Sequence, residues 1–255
     1  MAVAILQDDW KKVLAEVVGT FFFFFIGIGS IAAASSAGGL GLVIVALGHG
    51  LALSIAISAL GHISGGHFNP AVTISLLVTR KIGPVLALLY IIGQIVGGVL
   101  ASLAVATVLP QETWQAFKLG TPSLSGINFT QGIILEAILT FFLIIAVFGT
   151  VIDPRANRIG GFGIGLTVFI DILMGGPFSG AVMNPARAIA PAIVSGTWNS
   201  DQIIYWIGPI IGGVIAALLY VTFFLPKGDE PVVEVPSVTD RTIEPPFSEP
   251  GLLKD

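Results

Sequence analysis

Six stretches of this chain are apolar over a length that matches the hydrocarbon core of a bilayer. That property restricts the fold more than any other. A spanning helix needs roughly 20 mostly apolar residues, and the runs fall at about residues 12–34, 41–60, 84–109, 130–152, 160–176 and 202–225. No water is present at that depth to bond exposed N–H and C=O groups, so only segments that satisfy their own backbone are admissible. The composition agrees: 10% of residues are charged, against about 25% in a soluble domain. The net charge of −4 is small and says nothing about nucleic acid, but there is no basic stripe to bind phosphates, so no nucleic-acid partner is expected. The absence of cysteine excludes disulfides, thiol catalysis and thiolate metal sites. His62 and His67 lack the spacing of metal ligands, so no metal and no cofactor is expected. No nucleophile, base and oxyanion donor converge, so the chain does not read as an enzyme. The N-terminus opens on QDDWKK before a run long enough to span, which is not the arrangement of a cleaved signal peptide.

Two polar stretches break this apolar background. GHISGGHFNPAVT, Gly61 to Thr73, and GPFSGAVMNPARA, Gly176 to Ala188, each pass through glycine into Asn-Pro-Ala. Each is followed by a short apolar piece, near 69–79 and 184–195. A helix of about ten residues is roughly 15 Å long. Two such half-helices entering from opposite faces cover the roughly 30 Å core as one discontinuous span. Pro70 and Pro185 suit the first helical turn, and Asn69 and Asn184 suit the caps. Both positive helix ends then meet at mid-membrane. Capping uses the amide oxygen, leaving the NH₂ groups to point at whatever passes. Irregular backbone at that depth is tolerated where it lines a water-filled cavity.

The halves repeat. AEVVGTFF at Ala15 matches LEAILTFF at Leu135, pairing Glu16 with Glu136, and YIIGQIVGGV at Tyr90 matches YWIGPIIGGV at Tyr205. The tyrosine and Asn-Pro-Ala pairs share one offset of 115 residues. Three spans per half is an odd number, so the second copy is inverted, and inverted repeats with broken helices place a site near the midplane. Lys11, Lys12, Arg80, Lys81, Arg155, Arg158 and Lys227 fall on one side of the spans. The other side holds Lys118, with Arg187 assigned to the pore. The positive-inside rule puts both termini in the cytoplasm. The expected organisation is a cytoplasmic N-terminus (1–11), a channel domain (12–225, with repeats at about 12–109 and 130–225) and a Pro/Glu/Ser-rich disordered cytoplasmic tail (226–255).

At the two Asn-Pro-Ala boxes, the paired glutamates, HISGGHFNPAVT, NPAR and GPIIGG, the chain resembles the aquaporin (major intrinsic protein) family. The resemblance implies an all-α membrane protein with six transmembrane helices and two re-entrant half-helices in an inverted repeat. It implies a homotetramer in the lipid bilayer, with one pore per subunit passing water or small neutral solutes. The Asn-Pro-Ala residues are Asn69, Pro70, Ala71, Asn184, Pro185 and Ala186. The family's narrow filter falls on His49, Ile172, Ala181 and Arg187, a set similar to plant tonoplast-type aquaporins, some of which also pass ammonia or urea. Ala188, where glycerol facilitators carry Asp, and the pair Tyr205–Trp206 argue against a glycerol specialist. Glu16 and Glu136 are implied to brace the loops into each half-helix. Carbonyls of Ser64 to His67 and about Gly175 to Ser179 are implied to line the file, with Phe23 touching it. The rest of Phe21 to Phe25 is expected to face lipid, and His62 and His67 to be bonded loop residues. Asp171 has no assigned role; a bond to the extracellular loop and an action on Arg187 are both open. The membrane expected first is the cell membrane, and second an internal one such as the vacuole. The competing function is a coupled secondary transporter using Glu16, Glu136 and Asp171.

Overall fold

The computed structural model describes residues 2–35, 37–156 and 159–226, with side chains from residue 9 on. Arg158, Lys227 and the tail beyond Pro226 lie outside the described residues. Nine α-helices occur among the described residues: α1 (Ala2–Ala34), α2 (Gly41–Ser64), α3 (Pro70–Val78), α4 (Pro84–Val108), α5 (Gln111–Ala116), α6 (Phe129–Val147), α7 (Phe162–Gly175), α8 (Pro185–Ser195) and α9 (Ile204–Phe223).

Most boundaries follow the apolar runs, and the departures have local causes. α1 begins at Ala2 rather than near residue 12, because nothing before Asp8 breaks a helix. Among the described residues five helices are long and apolar enough to cross a membrane. The fifth expected span, α7, has only 14 residues, about 21 Å. Gly160 and Gly161 turn the chain before it, and Pro177 cannot continue it. The short helix α5 and the tight turn Lys118–Gly120 lie outside the expected spans, in the connection between the halves. α3 and α8 begin at proline directly after a capping asparagine, as the motif requires.

The packing obeys the repeat. α1 packs on α4 as α6 packs on α9, and α2 packs on α7 across the junction. The half-helices are exchanged, with α3 against α9 and α8 against α4. Glycine permits these approaches, as is common between helices in lipid, where small residues replace a hydrophobic driving force. A Cβ on Gly97 would collide with the Val17 carbonyl oxygen, and one on Gly212 with that of Ala137. Gly50 and Gly165, 115 residues apart, face each other's carbonyls at the α2–α7 crossing. The phenylalanine run is not wholly outward. Phe24 is fully buried against Gly98, and Phe23 is buried too, because consecutive residues on a helix turn through about 100° and cannot share one face.

Candidate functional site

The segments leading into the two half-helices are built alike. Gly65, Gly66 and Phe68 have positive φ, and so do Gly180, Ala181 and Met183, 115 residues on. A left-handed non-glycine residue costs about 1–3 kcal/mol and persists only where its surroundings over-determine it. Here the determinants are the two buried glutamates. Glu16 accepts from Ser64 Oγ at 2.7 Å, His67 N at 3.0 Å, Phe68 N at 2.7 Å and Gln94 Nε2 at 2.8 Å. Glu136 accepts from Ser179 Oγ at 2.6 Å, Val182 N at 2.9 Å and Met183 N at 2.7 Å. The hydroxyls of Tyr90 and Tyr205 donate to the carbonyls of Ser64 (2.8 Å) and Ser179 (2.9 Å).

These bonds dictate where the carbonyls go. Across a trans peptide the C=O of one residue points opposite to the N–H of the next. With the N–H groups of His67 and Phe68 held by Glu16, the carbonyls of Gly66 and His67 face the other way, into a cavity that both residues line. The same holds for Ala181 and Val182. This moves the second carbonyl row past the expected Gly175 to Ser179, whose Ser179 oxygen is taken by Tyr205 and whose Phe178 oxygen is taken by Ser125 N.

The cavity has a volume of about 310 Å³ and a wall that is mostly aliphatic. Asn69 and Asn184 meet in it. Asn69 Oδ1 accepts from Ala71 N (2.8 Å) and Asn184 Oδ1 from Ala186 N (3.1 Å), as caps. Their NH₂ groups are not both free, as capping alone would leave them. Asn69 Nδ2 donates to the Met183 carbonyl (2.8 Å) and Asn184 Nδ2 to that of Phe68 (2.9 Å). The crossed pair ties the two half-helix ends together and leaves each amide one further N–H.

At one end of the cavity stand His49, Ile172, Ala181 and Arg187, all buried and all lining it. Arg187 Nε donates to His49 Nε2 (3.2 Å) and Nη1 to the Gly120 carbonyl (3.0 Å). His49 Nδ1 lies 2.9 Å from the Val45 carbonyl, so Nδ1 carries the proton and Nε2 is the acceptor. Gly27 makes room for that ring, since a Cβ there would lie 2.6 Å from His49 Nε2. Among the described residues no carboxylate pairs with Arg187, so its charge acts on the cavity unneutralised.

Of the remaining expected positions, Phe23 lines the cavity and meets His49 edge-on at 6.0 Å. His67 lines it and bonds through Nδ1 to Thr73 Oγ1 at 3.0 Å. His62 is not a loop residue; it is exposed on the last turn of α2, because the helix runs on to Ser64. Asp171 is buried, and its Oδ2 has no hydrogen-bond partner among the described residues. Three further residues take part. Gln94 and Thr73 extend the Glu16 network (Gln94 Nε2 to Thr73 Oγ1, 3.0 Å), and nothing in the repeat marks them, since their counterparts are Pro209 and Ala188. The Gly120 carbonyl comes from a connection with no sequence signal beyond its glycine, which adopts φ +71°.

The match to known proteins follows the same outline. The major intrinsic protein family matches residues 4–220. Aquaporin TIP4-4 of Zea mays is 43% identical over 178 residues, 68% of each chain. Aquaporin TIP4-1 of Arabidopsis thaliana is 44% identical over 186 residues, 71% of each. The X-ray structure of the aquaglyceroporin from Plasmodium falciparum superposes with a TM-score of 0.72 at 24% identity, covering 83% of this chain and 95% of that one, a likeness of fold. With the family matched from the first helix to the last, this chain belongs to the major intrinsic proteins, the aquaporins, membrane channels for water and small solutes.

Proposed function

We propose that this chain conducts water in single file through the cavity between its half-helices, passes ammonia as well, and excludes protons and ions. The observation that carries the reading is the placement of two asparagine amides and an unneutralised arginine along one narrow, apolar-walled cavity. Water's oxygen accepts the spare N–H groups of Asn69 and Asn184 at the midpoint, so the hydrogens of that molecule point away in both directions. The carbonyls of Gly66, His67, Ala181 and Val182 accept from its neighbours. His49, Ile172, Ala181 and Arg187 form the filter, and Glu16 and Glu136 brace the approaches. An ion entering would face two positive helix ends and Arg187, and it would lose hydration worth many kcal/mol that an aliphatic wall does not replace. Neutral molecules avoid that penalty. Replacing a filter histidine by Ile172 widens the opening and removes a polar partner, which suits ammonia better than glycerol.

The working unit is a homotetramer of channel domains spanning about residues 12–225, with both termini cytoplasmic, in the cell membrane or an internal membrane such as the vacuole. A coupled carrier would need acids that exchange protons with the solute path. Glu16 and Glu136 are instead occupied by backbone donors, and Asp171 is not among the residues lining the cavity.

Stopped-flow light scattering of reconstituted vesicles tests the proposal. Water flux should need no ion gradient, ammonia flux should rise with pH as the neutral form grows, and glycerol should lag both. Mercurials should not inhibit, since the chain has no cysteine, and Ala181→Cys should create sensitivity. Thiol-reversible inhibition of the unaltered protein, or flux that demanded an ion gradient, would contradict the reading.

A further inference from the structure

The end of the cavity remote from Arg187 is shaped by an irregularity in α6. After Val147 the helix widens into one π turn, Phe148–Ile152, closed by the Asp153 N–H donating to the Phe148 carbonyl at 2.9 Å. Val147, Val151 and Ile152 all line the cavity. In a regular α-helix Val147 and Ile152, five residues apart, would point about 140° away from each other. The wider i→i+5 turn is what brings both to one wall, and such turns are frequent at functional sites.

A wide turn does not hold itself, because its alternative is the ordinary α-helical pitch. Here the residue that closes it is clamped. The Asp153 carboxylate accepts from Arg155 N (2.9 Å), Arg155 Nε (3.0 Å), Arg155 Nη2 (2.7 Å) and the Tyr220 hydroxyl of α9 (3.2 Å). Arg155 Nη2 also donates to the Phe224 carbonyl just past α9. The Tyr220 ring lies 5.4 Å from Phe148 and 5.4 Å from Phe224, so α9 grips the turn by packing as well as by hydrogen bonds. Asp153 is itself buried, although it lies outside the cavity wall.

We infer that Asp153 is a positioning residue of the pore: through Arg155 and Tyr220 it locks the π turn of α6 to α9 and thereby keeps Ile152 on the lumen wall at the end opposite the filter. The inference rests on the channel reading above. Without the clamp the turn relaxes toward regular pitch, and Ile152 swings off the wall.

The cysteine-free chain provides the assay. Ile152→Cys and Val147→Cys are made singly and each combined with Asp153→Asn, and water flux in reconstituted vesicles is followed before and after mercuric ion. Mercury should cut the flux of Ile152→Cys at least about threefold, and this block should be lost when Asp153→Asn is added. Val147→Cys, placed before the wide turn, should be blocked in both backgrounds. Equal block of Ile152→Cys with and without Asp153→Asn overturns the inference, as does failure of mercury to block Ile152→Cys while it blocks Val147→Cys. Failure of block at both positions in a conducting channel counts instead against the cavity as the water path. Should Asp153→Asn not reconstitute, Tyr220→Phe and Arg155→Gln replace it. Either should at least halve the block of Ile152→Cys, and a block unchanged in both overturns the inference.

Discussion

At one end of the cavity the wall carries His49, Ile172, Ala181 and Arg187; the positions 115 residues away carry Ile164, Ile57, Gly66 and Val72, and all eight line it. The backbone treats the ends as equals, with matching left-handed residues and matching glutamate braces. The side chains do not. At these positions one end presents a guanidinium and an imidazole, and the other presents three aliphatic groups and a glycine. The inverted repeat therefore accounts for what must be symmetric, two helix ends meeting at mid-membrane. On the function proposed above, selection among solutes falls to positions where the copies have diverged.

The braces diverge in the opposite sense. Glu16 holds four donors and Glu136 three, because Gln94 of the first half is Pro209 in the second. Buried bonds to a charged group are worth about 1.5–3 kcal/mol each. Glu16→Gln should therefore destabilise by at least about 3 kcal/mol, and Glu136→Gln by about one such bond less. Thermal unfolding in detergent ranks the two, and a less stable Glu136 variant would mean that the Gln94 bond adds nothing.

Making the ends alike should have the next largest effect. Arg187→Val copies Val72 into the filter and removes its fixed charge. Urea permeability should rise about tenfold, equivalent to about 1.4 kcal/mol, with some proton leak, and adding His49→Ala should raise it further. If neither variant changed any permeability relative to water, the constriction would have to lie elsewhere.

A smaller change sharpens the comparison within the filter. Ile172→His should lower ammonia flux relative to water about threefold, under 1 kcal/mol. Both fluxes measured in the same vesicles decide it, since an unchanged ratio would mean that Ile172 does not set selectivity.

The smallest effect belongs to the opposite mouth. The Arg155 guanidinium beside Asp153 holds that carboxyl low, at about 2. A depressed carboxyl stabilises the fold above its ordinary range and loses that contribution as pH falls through its folded value. Asp153→Asn should therefore destabilise by at most about 1 kcal/mol at pH 7, given the half-exposed arginine. The difference from the parent should shrink between about pH 4 and 2. A difference that stayed constant down to pH 2 would show that packing, and not the ion pair, holds the turn.

Legibility differed from place to place for physical reasons. The long apolar runs and the Asn-Pro-Ala caps were readable because bilayer thickness and helix capping act on contiguous residues. α7 came out shorter than its apolar run because Gly161 and Pro177 bound it, a local signal that hydropathy averages away. Phe24 was misplaced because a run of identical residues carries no phase. The pairing of Glu16 with Glu136 was visible in the repeat, whereas Gln94 and Thr73 were not, since they have no counterpart to betray them.

From sequence alone came the membrane, the inverted halves, the two broken helices and the residues that face each other where they meet. Each rests on a pattern that a helix in lipid must display along its own length. Only the tertiary structure decided that the asparagine amides are shared across the halves, that the Gly120 carbonyl steadies Arg187, and that a π turn clamped by Asp153 shapes the far mouth. These are contacts between elements remote in the chain. Their partners are chosen by the approach of helices at glycine crossings and by loops whose course no periodicity records.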